Sequence, residues 1–145
     1  MEIMPASILH LDIIYNLICE LEGEMLNKDA FSKIYRGNLE DKNIFYLVAV
    51  RDEAVIGFAS LHIQNLLHHC AKIGEIQEII ISKTLQGAGV GSALFNKIAD
   101  IAAANGCSDL EVCCSRARVK THPFYLKQGM IKSHYKFTYT MGKTT

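Results

Sequence analysis

The 145-residue sequence predicts an α+β fold, a mixed β-sheet flanked by helices, and three observations carry that expectation. Helical and strand periodicities alternate along the chain rather than falling into separate blocks. One stretch, Gly74 to Leu94 (GEIQEIIISKTLQGAGVGSAL), runs from an apolar strand through a glycine-rich turn straight into a helix. Length and composition, with 50% hydrophobic and 21% charged residues, suit one compact domain with a sizeable core, so residues 1–145 are expected to form a single domain.

Each element follows from local chemistry. Ser7 is a natural N-cap, and Ile8, Leu11, Ile14, Ile18 and Leu21 form a one-sided stripe, predicting a helix that ends near Glu24. A weaker helix is expected from Lys28 to Asn38, with Phe31, Ile34 and Tyr35 on one side and Gly37-Asn38 as its stop, packing as a lid. Ile44 to Val50 and Ala54 to Ile63 are β-rich runs around Arg51-Asp52-Glu53, the pattern of an antiparallel hairpin. After a loop at Gln64 to Lys72, Ile76 to Ile81 has the length and apolarity of a central strand. Val90, Leu94, Ile98 and Ala102 give the next helix its buried face until Asn105-Gly106 ends it. Leu110 to Cys114 reads as a strand, Thr121 to Lys127 as a short helix, and Ile131 to Met141 as a long strand with Tyr135, Phe137, Tyr139 and Met141 on one side. The two prolines, Pro5 and Pro123, fall at a strand exit and a helix start.

Composition excludes several classes of function. Fifteen basic residues balance fifteen acidic ones, so no global field recruits nucleic acid or anionic lipid. No apolar run approaches the roughly 18 residues of a membrane span, and the N-terminus lacks a basic n-region, which predicts a cytoplasmic protein. The cysteines Cys19, Cys70, Cys107, Cys113 and Cys114 form an odd set without a C-x-x-C pair; neither disulfides nor zinc are expected, and all five are read as small apolar core residues. Neutral net charge with an apolar final strand permits a homodimer.

The glycine turn is an anion site by its backbone. Gly87, Gly89 and Gly91 carry no Cβ, so successive N–H groups can converge on a phosphate at the positive end of the following helix. No lysine follows in the Walker position, and the glycine spacing is not that of a dinucleotide fingerprint. What remains is Q-x-x-G-x-G at Gln86, Gly89 and Gly91, directly after an apolar strand. Together with an aromatic pair before a glycine, Phe124-Tyr125 to Gly129, it resembles the GNAT family of N-acetyltransferases.

That resemblance implies a GNAT-type fold with acetyl-CoA as cosubstrate. It implies pyrophosphate contacts from Gln86, Gly87, Ala88, Gly89, Val90, Gly91 and Ser92, and pantetheine pairing along the backbone of Ile79, Ile80 and Ile81. Gln86 stands where many members carry arginine, so backbone donors alone must hold the anion. Glu75 lies eleven residues before Gln86, where members often place a general base, and Glu78 is the reserve; regular alternation would put the two on opposite faces unless a bulge intervenes. Tyr125 occupies the family position for an acid at the departing thiolate. Further segments, LICEL at Leu17 to Leu21, GNLEDKN at Gly37 to Asn43, LHIQ at Leu61 to Gln64, LHH at Leu67 to His69 and GEIQE at Gly74 to Glu78, resemble the branch of the family that acetylates small aminoalkylphosphonates.

For a phosphonate acceptor, Arg118 is the first cation to consider, with His62 and His69 as further ligands. The family pattern has asparagine at the Arg118 position and alanine at Thr121, so cofactor contacts there are in doubt. His68, His69 and Glu75 could hold a divalent cation, although their spacing is not diagnostic. Other small amines, such as an amino-sugar phosphate or a polyamine, are alternative acceptors, and a non-catalytic acyl-CoA sensor is the alternative outside enzymes. Cys113 or Cys114 as a covalent relay has no base beside it in the sequence.

Overall fold

The computed structural model describes residues 1–118 and 120–142, and the chain divides into two compact units, Met1–Val112 and Cys113–Thr145. The first unit holds a five-stranded sheet with strand order β1-β2-β3-β4-β5: β1 (Glu2–Pro5), β2 (Ile44–Arg51), β3 (Ala54–Leu66), β4 (Ala71–Ile81) and β5 (Cys107–Val112). The first four strands are antiparallel, while β5 runs parallel to β4 because helix α3 (Val90–Ala104) returns the chain between them. Helices α1 (Leu11–Glu22) and α2 (Lys28–Leu39) precede β2.

Local signals place these boundaries. The Ser7 side chain accepts from the Leu9 amide while His10 reaches back to the Ser7 N–H at 3.0 Å, a capping arrangement that starts a short 3₁₀ turn leading into α1. Gly23, with φ 73°, closes α1 in the left-handed conformation. Helix α2 runs through Gly37-Asn38 to Leu39 rather than stopping there; Asn38 is used instead as a donor to the Tyr46 hydroxyl at 2.7 Å. The hairpin between β2 and β3 turns at Asp52-Glu53, both at positive φ.

Strands β3 and β4 are longer than their apolar runs. Residues Gln64–Leu66 and Ala71–Gly74 continue the ladder around a short turn at Leu67–His69, because main-chain pairing of Leu66 with Ala71 and Asn65 with Lys72 needs no apolar side chain. Strand β5 begins three residues earlier than expected and ends at Val112, before Cys113.

One face of the sheet packs on α1 and α2. Ile14, Leu17, Tyr35, Val48, Phe58 and Ile80 form its buried cluster. The opposite face receives α3 through Val90, Leu94, Ile98 and Ala102. A column of ring contacts, Tyr15 to Phe31 to Tyr35 to Tyr46 to Phe58, spans the α1/α2 face with centroid separations of 5.2, 6.2, 5.3 and 5.5 Å.

The second unit contains helix α4 (His122–Lys127), with Pro123 in its first turn. Gly129, at φ 95°, ends it, and the Met130 amide returns to the Tyr125 carbonyl at 3.1 Å. Residues Ile131 to Met141, expected as a long strand, lie in no sheet; Tyr135, Phe137 and Tyr139 are 81, 93 and 85% exposed. The apolar alternation is there, yet a strand also needs a neighbour to accept its hydrogen bonds. The cysteines likewise depart from expectation: all five are free, Cys19 alone is buried, and Cys70 and Cys113 are exposed. Among the described residues no helix is long and apolar enough to cross a membrane.

Phe58 is 2% exposed at the end of the ring column, within the buried cluster under α1 and α2. Its replacement by alanine should lower unfolding free energy by about 3–5 kcal/mol, measured by chemical denaturation, with the denaturant slope unchanged if the native state stays compact.

Candidate active site

The site is built around β4, whose two edges behave differently. Its β3 edge is paired from Ala71 through to Ile81. Its β5 edge is paired only from Lys72 to Ile76, where Ile76 meets Val112 and β5 ends. From Gln77 to Ile81, β4 therefore has no partner on that side among the described residues. Ile79, Ile80 and Ile81 fall in this stretch, where main-chain groups are available to an extended ligand.

The same strand carries a β-bulge. Ser60 faces Glu78 and Leu61 faces Ile76, so Gln77 is the extra residue. Phe58 and Ile80 pair on the α1/α2 face, and alternation puts Glu78 there too. Gly74 lies on the α3 face, where an added Cβ would meet Ala102 and Leu110, so Ile76 shares that face and Glu75 is opposite. The bulge thus resets the phase and brings Glu75 and Glu78 to one face, which regular alternation would have forbidden. His62, paired with Glu75, joins them.

The two carboxyls sit in different surroundings. Glu75 accepts from the Gln77 side-chain amide at 2.7 Å. Glu78 lines a cavity of about 220 Å³ with Ile14, Phe31, Tyr35, Tyr46 and Phe58. Burial in that apolar wall holds its pKa above the ordinary carboxylate range, against the opposing effects of the Ser60 hydroxyl and the nearby His62. Ser60 is fully buried: its hydroxyl donates to the Glu78 carboxylate and accepts the Glu78 amide at 3.0 Å, fixing the side chain's direction. Tyr35 donates to the Ser7 carbonyl at 2.7 Å and burial pushes its pKa up to about 12, so it is a neutral wall rather than an acid or base.

Beyond Ile81 the chain passes a 3₁₀ turn, Lys83–Leu85, and enters the glycine segment. Gly87 and Gly89 have φ 86° and 83°, and a Cβ at either would meet nothing within 4 Å, so glycine is needed for conformation rather than space. Val90 begins α3, whose first turn holds no acidic residue, leaving the N-terminal N–H groups and helix dipole open to an anion.

The histidine sites resolve differently from the expectation. His68 is exposed on the turn after β3. His69 faces two carboxylates of β5, Asp109 at 3.8 Å and Glu111 at 3.9 Å. Glu75 is bonded to Gln77, and among the described residues no group of three or more His, Cys, Asp or Glu could hold a metal ion. These residues do not fit a divalent cation, and acid neighbours make His69 a poor ligand for a phosphonate. His62 remains on the Glu75/Glu78 face.

In the second unit Tyr125 sits on α4, its ring edge-on to Phe124 at 5.2 Å. Burial pushes its phenol up to about 12, Cys114 adds to the rise and Arg118 opposes it, so the hydroxyl keeps its proton at neutral pH. Arg118 is half-buried, whereas Arg116 and Lys120 are exposed. Burial raises the Cys114 thiol, which leaves it a weak nucleophile.

Comparison with known proteins agrees with this geometry. The profile of the acetyltransferase (GNAT) family matches residues 11–130. The chain belongs to the GNAT family. Aminoalkylphosphonate N-acetyltransferase of Salmonella typhimurium is 37% identical over 137 residues, covering 94% of this chain and 89% of that protein. Glucosamine 6-phosphate N-acetyltransferase of Candida albicans is 27% identical over 107 residues, covering 72% and 70%. Among solved structures, an aminoglycoside N-acetyltransferase in complex with CoA superposes with a TM-score of 0.87 at 17% identity, covering 98% of this chain and 95% of that one. The mixed sheet with its flanking helices is thus the GNAT α+β fold, and the chain is an acyltransferase with acetyl-CoA as donor.

Ser60, Tyr35, Tyr46 and Phe58 were not singled out from the sequence as site residues. The signal was present for Tyr35, on the same helical side as Phe31, but Ser60 becomes visible only once the bulge pairs it with Glu78. At the glycine turn, Gly89→Ala forces a side chain into a positive-φ conformation that costs roughly 1–2 kcal/mol. Calorimetry with CoA should show affinity reduced about tenfold or more, while Ala88→Gly leaves it nearly unchanged.

Proposed function

We propose that residues 1–145 act as one acetyltransferase domain that transfers the acetyl group of acetyl-CoA directly to the primary amine of a small aminoalkylphosphonate. The observation that carries the reading is Glu78: a carboxyl with a raised pKa in an apolar cavity, on the β4 stretch that has lost its β5 neighbour. The 37% identity to the Salmonella enzyme over nearly the whole chain supports the phosphonate acceptor.

In this reading the Gln86–Ser92 backbone holds the CoA pyrophosphate and Ile79–Ile81 pair with the pantetheine arm. The thioester then lies along the unpartnered edge of β4. The amine nitrogen attacks the thioester carbonyl carbon, its proton passes to Glu78 directly or through one water, and the tetrahedral oxyanion collapses with cleavage of the C–S bond. Tyr125 offers its hydroxyl to the departing sulfur, which leaves as a thiolate and takes up a proton afterwards. Two features favour Glu78 over Glu75 as the base. Burial raises its pKa, which makes proton removal from an alkylammonium less uphill, and Ser60 fixes its orientation, whereas the Glu75 carboxylate is engaged by Gln77. Glu75 then serves with His62 at the acceptor's outer end, and Arg118 supplies charge for the phosphonate.

The relationship to the Candida enzyme supports a second acceptor class, phosphorylated amino sugars, which share a primary amine and a dianion. A non-catalytic acyl-CoA sensor would need neither a carboxyl held in an apolar cavity nor a protonated phenol, and both are present. Thiol release measured with aminomethyl- and aminoethylphosphonate, glucosamine 6-phosphate and spermidine should rank the phosphonates first. Turnover of the sugar phosphate alone would move the assignment to the second class, and no turnover with any amine would leave the sensor.

For the base, Glu78→Gln should lower kcat by about 10²–10⁴-fold with little change in CoA affinity, and Glu75→Gln should cost less. A carboxyl with a raised pKa becomes protonated at a higher pH than an ordinary one. The wild-type kcat/KM should therefore fall on the acid side above the usual carboxylate range, a limb that Glu78→Gln removes. Retention of that limb in Glu78→Gln would assign the base elsewhere.

A further inference from the structure

The cavity beside Glu78 is larger and more apolar than proton removal from an amine requires. Besides the residues already named, Ile18, Leu26 and Ile34 line it. Ile34 is 62% exposed, so the cavity opens to solvent beside α2. Among the described residues that line it, Glu78 alone carries a charge and none is a lysine, arginine or histidine. Tyr35 donates its hydroxyl to the Ser7 carbonyl and Tyr46 accepts the Asn38 side-chain amide, so both hydroxyls have partners outside this lining.

The outer wall is anchored through its backbone. The Tyr15 hydroxyl donates to the Leu26 carbonyl, and the Leu26 amide donates to the Cys19 sulfur at 3.4 Å. Asn27 then caps α2 by accepting the Ala30 amide at 2.9 Å. The connection between α1 and α2 is thus held at both main-chain polar groups of Leu26, and neither bond depends on the leucine side chain.

An apolar cavity of about 150 Å³ walled by Leu, Ile and Phe takes up benzene. At about 220 Å³, this one has room for a branched alkyl or aryl group. A phosphonate dianion would meet no counter-charge there and would lie beside a carboxylate, so burial disfavours it. We propose that the cavity is a subsite for an apolar side chain on the amine-bearing carbon of the acceptor, of isobutyl to benzyl size, with the amine at Glu78 and the anionic group outside. The preferred acceptor is then the phosphonate analogue of an apolar amino acid rather than of glycine. This rests on the reading above, in which Glu78 meets the amine. Three groups on one carbon select it: the amine by the carboxylate, the side chain by the apolar walls, and the anion by exclusion from them.

Thiol release from acetyl-CoA, measured with the phosphonate analogues of glycine, alanine and leucine, tests the subsite. The kcat/KM should rise along that series, by about tenfold or more from first to last. Leu26→Trp narrows the cavity while keeping both main-chain bonds, and should reverse the order; the wild-type series decides the matter without it. Equal kcat/KM along the series, or an order that folded Leu26→Trp leaves unaltered, would overturn the subsite while phosphonate acetylation stands. If no phosphonate is turned over, the acceptor reading fails instead. Calorimetry of the CoA-bound protein with methylamine and isopentylamine then decides the subsite on its own: tighter binding of isopentylamine upholds it, and equal binding overturns it. An amine series without preference, joined to faster transfer from hexanoyl-CoA than from acetyl-CoA, would give the cavity to the acyl group and likewise overturn the proposal.

Discussion

The geometry of the site rests on where the hydrogen-bond ladder between β4 and β5 stops. Five residues of β4, Lys72 to Ile76, are tied to β5; beyond the bulged Gln77, Glu78 to Ile81 pair with β3 and, among the described residues, with no strand on the other side. Every main-chain polar group removed from water needs a partner, so a strand that loses its neighbour halfway along must meet solvent or a ligand there. An extended ligand with amide groups of its own satisfies that requirement. The glycine turn begins soon after the unpaired stretch ends and leads directly into the N-terminus of α3, whose first turn holds no acidic residue. In the proposed reading, a single interruption in one ladder sets both the line along which the acyl carrier lies and the end at which its phosphates are held.

The bulge at Gln77 falls at the first residue of that unpaired stretch, and its effect is electrostatic as much as geometric. Without it, Glu78 would share a face with Leu94 and Ile98 of α3, a location that would demand neutralisation of the carboxyl. With it, Glu78 enters the cavity under α1 and α2, close enough to apolar side chains for its pKa to rise, and Ser60 supplies one strong hydrogen bond that keeps the charged form accessible. Phe31, Tyr35, Tyr46 and Phe58 of the ring column wall this cavity, and each ring is braced by the next. Packing in the first half of the chain thus sets the acidity of a group in the second half of the sheet.

How far the sequence discloses this follows from the range of each cause. The glycine turn was legible as a turn because its requirements are local: glycines at 87 and 89 adopt positive φ, and the helix begins at the next residue. The helices and the β2–β3 hairpin were legible from caps and periodicity. The Glu75 and Glu78 pair could be named but not placed, since the phase of β4 depends on one extra residue counted against β3, a property of two strands rather than of either. His69 was read as a ligand from its neighbours in sequence, yet its charge environment comes from Asp109 and Glu111, forty residues further on. The final strand was legible as a pattern and not as an element, because a strand's identity lies in its partner.

The acidities of the two candidate proton-handling groups also constrain the chemistry. A phenol held near 12 is a far weaker acid than a thiol of about 8.5, so Tyr125 cannot usefully protonate sulfur ahead of bond cleavage; a hydrogen bond that strengthens as negative charge gathers on sulfur is the contribution open to it. The proton released by the amine then has to be held elsewhere until the thiolate collects it, and a carboxylate with a raised pKa is suited to that interim role. An acetyl-cysteine intermediate would instead require a thiolate at rest, whereas burial keeps the Cys114 thiol protonated and Cys113 lies exposed. In the proposed reading the transfer is direct, because a carboxylate with a raised pKa and a phenol that keeps its proton let charge pass from nitrogen to sulfur without a covalent stop on the protein.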